Sequence, residues 1–376
     1  MTTKPDISEE EVITMLSDGK TANYIQKNFR IGRYRMDRIK AKASRRGLDP
    51  AFELNRLAPE MYALNGFSDM RTNPEGKPIW YKFSADKMAQ QKALETAIEA
   101  MCSEIPRAER VPASPHFHND NLLNTYVVTD FHLGLMAWHE ESGEDYDMQI
   151  AESLLMKWFE AAIDQSPNAS TGLLANIGDF LHWDGLEAVT PAHRHILDAD
   201  TRLQKVIRVA IRCIKKIVRM MLEKHDHVHM LMCDANHDEA SEAWMRELFA
   251  SHYEDEPRVT VDNSGSTFYC YEHGKVSLFY HHGHKKKMAN IDDVFAAKFR
   301  DVYGRTKYSY AHMGHLHQQA VRESNLMVIE QHRTLAAKDA YAAQHGYLSG
   351  RDAKVITYHK DFGEVSRLTI SPEMLR

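Results

Sequence analysis

Five short motifs place side chains that could bind metal ions between Asp130 and His317. Each combines carboxylate, amide or imidazole groups, and each follows an apolar segment. Hard carboxylate oxygens mixed with imidazoles suit Mn, Fe or Zn better than Ca or a metal that prefers thiolates. Two such ions held a few ångströms apart can clamp a phosphate and activate the attacking water at neutral pH. The motifs are Asp130-Phe-His132, Gly178-Asp179, Asn236-His237-Asp238, His281-His282-Gly283-His284 and Gly314-His315-Leu316-His317.

Each motif has a simpler explanation when it is taken alone. An isolated Asp-x-His is usually a surface pair, and clustered histidines near a strand end can be hydrogen-bonded core residues. The triplet Asn236-His237-Asp238 could simply cap the helix that follows it. All five motifs in order, each after an apolar strand, are much harder to explain in this way. The set therefore predicts a metal site.

The elements that must position these motifs alternate between strands and helices from residue 124 onward. In α/β sheets, functional loops typically cluster at the carboxyl ends of the strands. Antiparallel strand pairs follow the alternating elements in this sequence. The pattern predicts a mixed-sheet α/β domain. The predicted strands are 126–129, 173–177, 228–233 and 309–313, the helices are 198–224 and 239–251, and the hairpins are 267–280, turning at Gly274, and 353–370, turning near Gly363.

Residues 1–50 predict a small unit of three short helices that resembles a helix-turn-helix DNA-binding domain. Ser8, followed by three glutamates, is a typical start of the first helix. The third segment, after Gly32, is strongly basic and predicts contacts with DNA phosphates. The alternative is a solvated basic helix in a small bundle. The residues chosen as substrate-binding candidates in this segment are Arg33, Arg35, Arg38 and Lys42.

Residues 51–120 carry no recognisable chemistry. The turn signal Asn73-Pro-Glu-Gly76 favours a hairpin, an alanine-rich helix is expected over 87–102, and three prolines then indicate a linker. We therefore predict three parts: 1–50, 51–120 and a catalytic domain over 121–376.

The composition indicates the general class of protein and its cellular surroundings. Hydrophobic residues make up 43% and charged residues 27% of the chain, which is typical of a globular protein. The net charge of −6 does not by itself indicate a nucleic-acid partner. No apolar run approaches the roughly 18 residues of a membrane span, and the start lacks the pattern of a signal peptide. The four scattered cysteines indicate free thiols. We expect a cytoplasmic protein with no membrane association, and a homodimer is one open option.

The order of the motifs resembles the calcineurin-like metallophosphoesterase superfamily over roughly residues 124–320. The resemblance implies a four-layer α/β/β/α sandwich with two divalent ions, Mn²⁺ above Fe or Zn, at the sheet ends. Asp179 would bridge the two ions. The first would be held by Asp130, His132 and His317, and the second by Asn236, His282 and His315.

The same resemblance implies roles for the residues beside the ligands. His237 would stabilise the transition state or protonate the leaving oxygen, and Asp238 would support its turn. His282 is the preferred ligand of its cluster, which leaves His284 to face the substrate. The family usually has glycine where this chain has Ala235, a change that needs only a modest adjustment of backbone angles.

Two details resemble the double-strand-break repair nucleases of this superfamily. Thr129-Asp-Phe-His-Leu-Gly134 is similar to their first motif, and His182 follows the bridging aspartate by three residues, near the scissile phosphate. The alternative for His182 is a residue that only orients a ligand. The chain also resembles phage-encoded phosphoesterases with a helix-turn-helix head.

The first hypothesis is a DNA nuclease that hydrolyses phosphodiester bonds by a metal-bridging hydroxide. The second is a phosphatase or nucleotide phosphodiesterase acting on a small molecule or a phosphoprotein. The third is a DNA-binding protein with a vestigial catalytic domain, although a complete ligand set argues against it.

Overall fold

The structure is a computed structural model. It describes residues 4–17, 20–36, 38–39, 96, 108–112, 118–185, 187–189, 197–339, 342–343, 345–346 and 348–375, together with the backbone of short strands between residues 62 and 85. The chain divides into two compact units, residues 1–93 and 94–376. Among the described residues, no helix is both long and apolar enough to cross a membrane.

The described part of the first unit contains short helices and two strand pairs. Ser8 accepts a hydrogen bond from the backbone N–H of Glu11 at 3.2 Å, and the Glu11 carboxylate accepts one from the Ser8 N–H at 2.9 Å. These two bonds form a capping box, which explains why the first helix begins here. The elements are α1 (Glu9–Ser17), α2 (Ala22–Asn28), helical residues 33–36 and 38–39, and β1 (Tyr62–Ala63), β2 (Asp69–Thr72), β3 (Pro78–Tyr81) and β4 (Ser84–Ala85).

The helices of this unit pack on a small apolar core that includes Val12, Ile25 and Met36. The expected hairpin around residue 75 is present, with β2 antiparallel to β3. Lys42, most of the third predicted helix, most of the expected helix over 87–102 and two of the three linker prolines, Pro106 and Pro115, lie outside the described residues, so the predicted boundaries at 50 and 120 stay predictions.

A six-stranded sheet forms the centre of the second unit. Its order is β15-β14-β5-β6-β7-β8, and the four strands from β5 to β8 run parallel. Strands β14 and β15 form the predicted final hairpin, antiparallel to each other, and β14 is antiparallel to β5. The strands are β5 (Asn119–Val128), β6 (Ala169–Asn176), β7 (His227–Met232), β8 (Val259–Val261), β14 (Ala353–His359) and β15 (Gly363–Ile370).

A five-stranded sheet of order β12-β13-β11-β10-β9 packs against the first sheet. Strand β10 illustrates this packing, because its successive side chains point to opposite faces of the sheet, as in any β-strand. Leu278 and Tyr280 join the core between the sheets, whereas Phe279 points to the opposite face. The strands are β9 (Tyr269–His273), β10 (Val276–His281), β11 (Tyr308–Met313), β12 (Ala320–Glu323) and β13 (Val328–Gln331).

Helices cover the outer face of each sheet and complete the predicted four-layer α/β/β/α sandwich. The long helix α5 buries Val206, Ile214 and Met221 against the first sheet, together with α4 and α6. Phe295 of α7 packs on Phe279 of the second sheet. The helices are α3 (His139–Ser142), α4 (Met148–Gln165), α5 (Leu203–Lys224), α6 (Glu239–His252), α7 (Ile291–Lys298) and α8 (Arg300–Arg305).

Candidate metal centre

The five motifs meet at one edge of the sandwich because they follow neighbouring parallel strands. Asp130, Asp179 and Asn236 come after β5, β6 and β7, which lie side by side in the first sheet. His282 follows β10, and His315 follows β11, which is parallel to β10 in the second sheet. The carboxyl ends of parallel strands share one edge, so the two sheets bring the motifs together.

His282 joins the two carboxylates. Its Nε2 lies 3.1 Å from Oδ2 of Asp179, 3.9 Å from Oδ1 of Asp130 and 3.1 Å from Oδ1 of Asn236. The backbone carbonyl of Ile177 accepts a hydrogen bond from Nδ1–H at 2.8 Å, which directs Nε2 at the site. His281 points elsewhere, since its Nδ1 bonds the carbonyl of Thr267.

A second group of histidines lies near the same Asp130 oxygen, Oδ1. Nε2 of His317 lies 3.1 Å from Oδ1 of Asp130 and 3.2 Å from Nε2 of His132. The ligand atoms of Asp130, His132 and His317 therefore fit around one ion, and those of Asp179, His282 and His315 fit around another. Both sets mix carboxylate and imidazole, the chemistry that Mn, Fe or Zn accepts.

The described residues other than glycine with positive φ are all predicted metal ligands. They share the left-handed backbone conformation, which residues other than glycine rarely adopt and which costs them conformational free energy. Such strain is concentrated at functional sites. The residues are Asp130 (52°), His132 (49°), Asp179 (52°), His315 (75°) and His317 (52°).

Close backbone packing holds these turns. A Cβ on Gly314 would lie 1.9 Å from Oγ1 of Thr129, so only glycine fits beside the Asp130 carboxylate. That carboxylate accepts a hydrogen bond from the His315 N–H at 2.9 Å. Ala235 is not among the residues with positive φ, so alanine is accommodated without strain where the resembled family has glycine.

The electrostatics show that the site attracts positive charge. Burial opposes ionisation of Asp130, yet His317 and His282 hold the pKa of Asp130 below its ordinary value. Burial alone would lower the pKa of His282, but Asp179 and Asp130 raise it to about 9. A divalent ion would displace that proton, because a ligating imidazole must be neutral on the nitrogen that binds. The donor set thus fits divalent ions.

His237 lies beside the ligands and is held by its own backbone. Its N–H donates to Oδ1 of Asp179 at 2.8 Å, and its Nδ1 bonds the carbonyl of His182 at 2.9 Å. The His182 ring is buried, with Nδ1 at 3.3 Å from Nδ1 of His132. Burial and the neighbouring His237 lower the pKa of His182 to about 3, so its ring is neutral at pH 7.

Asp238 is fully buried and ties two loops together. Its Oδ2 accepts a hydrogen bond from the Leu181 N–H at 2.7 Å, which links the motif after β6 to the motif after β7. Asp238 makes no side-chain cap on α6. Asp184 makes that cap instead, accepting from the N–H of Ser241 at 2.7 Å.

A cavity of about 320 Å³ opens beside the centre. It is lined by His182 and His237 together with predicted ligands. His284 is not among the described residues that line it; its ring lies 5.4 Å from that of His282. The far wall comes from Thr334, residues 336–339, Ala342 and residues 349–351, which no sequence pattern singled out because they belong to no motif.

A separate polar cluster lies between the sheets. His312 and His332 share a hydrogen bond of 3.0 Å, and their ligand atoms with those of Glu330 would fit around an ion. However, Arg367 donates to both Glu330 oxygens at 2.7 Å, and Lys354 lies 3.6 Å away. These cations already neutralise the carboxylate and would repel a divalent ion, so the cluster is best explained as a structural tie between the sheets.

No family model matches this chain, and no curated protein matches it. Solved structures do show likeness. A conserved uncharacterized protein from Streptococcus pneumoniae TIGR4, described as a predicted phosphoesterase, is 8% identical with a TM-score of 0.27, covering 66% of this chain and 98% of its own. An archaeal phosphodiesterase is 13% identical with a TM-score of 0.33, covering 66% and 99%. A 5′-nucleotidase from Candida albicans SC5314 is 12% identical with a TM-score of 0.33, covering 70% and 54%. At these values the likenesses carry no argument about this chain.

Proposed function

We propose that this chain is a two-metal phosphodiesterase, with DNA as the substrate. The observation that carries the proposal is the pair of buried carboxylates, Asp130 and Asp179, each joined to its own histidines and both within 4 Å of Nε2 of His282. Two divalent ions at such a centre would polarise the phosphate and activate water. Asp179 would contact both ions.

The remaining ligands divide as the distances suggest. Asp130, His132 and His317 form one set, and His282 and His315 form the other with Asn236. The left-handed backbone at four of these positions and at Asp179 sets the direction in which the side chains leave the backbone before any ligand binds. Such preorganisation removes the ordering cost from the binding step.

His237 is the residue that would handle the leaving group. Since Nδ1–H is engaged with the His182 carbonyl, Nε2 is the atom that can carry a proton or donate a hydrogen bond. The hydrogen bond from its N–H to Asp179 keeps the ring at the rim of the cavity. His182 borders the same cavity as a neutral ring, which suits orientation of a neighbouring group better than proton transfer at pH 7.

Exposed basic and aromatic side chains in the first unit support DNA as the substrate. Arg33 and Arg38 are exposed, and Tyr34 is 83% exposed between them in sequence. Arginines bind the backbone phosphates of DNA whatever its base sequence, and an exposed aromatic ring can stack on a base. Arg35 is less free, because it donates to the carbonyl of Ile7 at 3.2 Å.

The test of catalysis uses labelled single- and double-stranded DNA with Mn²⁺, Mg²⁺, Zn²⁺ or EDTA, alongside bis(4-nitrophenyl) phosphate. We expect cleavage with a divalent ion and none with EDTA. Asp179→Ala should abolish cleavage while DNA binding persists. Robust cleavage by Asp179→Ala would contradict the proposal.

The test of DNA binding compares Arg33→Gln with a control, Arg208→Gln, on the exposed face of α5. Loss of one phosphate contact should weaken binding to all sequences alike and reduce the slope of log K against log salt by about 1. An unchanged slope for Arg33→Gln, with cleavage of the aryl diester intact, would favour a small-molecule phosphodiesterase instead.

A further inference from the structure

The cavity beside the candidate metal centre has two chemically different sides. One side is formed by His132, Asp179, His237 and neighbouring ligands. The other comes from the segment that follows β13. Its volume of about 320 Å³ is in the range of pockets that hold small molecules, so it can take a substrate group that extends beyond the phosphate at the metal centre.

Lys338 supplies a positive charge to the far wall. It is half-buried and lines the cavity, and among the described residues no carboxylate forms an ion pair with it. Its charged neighbours are already engaged. Oδ1 of Asp339 accepts a hydrogen bond from the N–H of Ala342 at 2.7 Å. Arg351 pairs with Glu144 and donates to a backbone carbonyl.

These engaged neighbours hold the wall in place. Nε of Arg351 donates to the Leu335 carbonyl at 2.9 Å, and Oγ1 of Thr334 donates to the Asp130 carbonyl at 2.5 Å. The wall is therefore tied to the same turn that carries a predicted metal ligand. These ties fix the backbone at Thr334 and Leu335, which begins the segment that carries Lys338.

Apolar side chains contribute to the lining of the same cavity. Leu135, Leu316, Ala336 and Ala337 line the cavity. A cation beside apolar walls is partly shielded from water, so it attracts an anion more strongly than an exposed lysine does. Lysine binds phosphate as a point charge, and the apolar walls can contact the nucleoside between two phosphates.

We propose that Lys338 binds a second phosphate of the substrate, next to the phosphate that is cleaved. The proposal rests on the proposed phosphodiesterase function and names its substrate class: nucleotide chains or chain ends that carry a neighbouring phosphate. An isolated phosphodiester lacks the group that Lys338 recognises.

The test measures kcat/KM of the full-length protein on the thymidine dinucleotide in three forms: unphosphorylated, 5′-phosphorylated and 3′-phosphorylated. We expect the wild type to prefer one phosphorylated form by roughly tenfold, the size of one charge-assisted hydrogen bond. Lys338→Gln should remove this preference, whereas Lys338→Arg should retain most of it. Lys157→Gln, on the exposed face of α4, is the matched control and should keep the wild-type preference.

The outcomes separate the two proposals. If the wild type cleaves all three dinucleotides equally, or if Lys338→Gln keeps the preference with a wild-type melting temperature, the role of Lys338 is refuted and the phosphodiesterase proposal stands. If neither the dinucleotides nor bis(4-nitrophenyl) phosphate is cleaved with any metal, both proposals are refuted.

Discussion

Replacing His315 by glycine or by alanine separates its backbone strain from the loss of its imidazole. The residue has φ of 75°, and a left-handed backbone costs an L-residue about 1–2 kcal/mol. Both variants lose the ring, and both keep the N–H that donates to Asp130. Only glycine relieves the strain, although it also loses about 0.5–1 kcal/mol through the greater freedom of the unfolded chain.

The neighbouring Leu316 provides the control for that chain entropy. It lies in the same turn, is 57% exposed and is not among the residues with positive φ. There, alanine should be more stable than glycine by about 0.5–1 kcal/mol. The glycine-minus-alanine difference in free energy of unfolding should therefore favour glycine at His315, relative to Leu316, by about 1–2 kcal/mol.

Urea unfolding in EDTA, analysed by linear extrapolation, measures the four variants. The chelator removes metal binding, which would otherwise add to the stability of any variant that retains more ligands. If the glycine-minus-alanine difference is the same at both positions, the left-handed strain at His315 is not real, and the argument that this site is preorganised by its backbone fails.

Two further perturbations test other parts of the structure. Burial lowers the pKa of His225 to about 4, so the neutral ring stabilises the fold fully when the pH is above the unfolded-state pKa near 6.5, and this stability is lost as the pH falls toward 4. Between pH 7 and pH 5, the free energy of unfolding of the wild type, measured in urea, should therefore fall by about 2 kcal/mol more than that of His225→Gln. Equal losses would contradict this. Gly314→Ala would place a Cβ 2.6 Å from Oδ2 of Asp130 and should abolish the metal binding measured by calorimetry. The control Gly304→Ala, whose Cβ meets nothing within 4 Å, should bind metal normally. Retained metal binding by Gly314→Ala would refute the close packing around Gly314.

The fold could be predicted where side-chain periodicity is strong. Strands β6, β7 and β11 and helices α5 and α6 were expected close to their observed bounds, because long apolar runs have a clear period. Strand β5 was expected only from residue 126, whereas it begins at Asn119. Helix α4, the edge strand β12 and its neighbour β13 were not expected. Edge strand β12 is half exposed, so its sequence lacks the apolar pattern that marks a buried strand.

The roles around α6 show why local reasoning has limits. The sequence left two interpretations of the Asn-His-Asp triplet open: a cap on the following helix, or an aspartate that supports the turn. Asp238 instead bonds Leu181, and Asp184, more than fifty residues earlier in the chain, caps α6. The choice depends on which loop lies closer in space, which sequence spacing does not reveal.

The sequence by itself determined the candidate ligand motifs, their order and their positions after apolar strands, since residue type and strand period are local properties. Only the tertiary structure decided which atoms meet. It placed Nε2 of His282 beside both carboxylates, showed that five of the seven predicted ligands have a left-handed backbone, and brought Lys338 to the cavity from a segment without a motif. These features arise because parallel strands of two packed sheets bring residues almost two hundred positions apart, such as Asp130 and His317, to one edge.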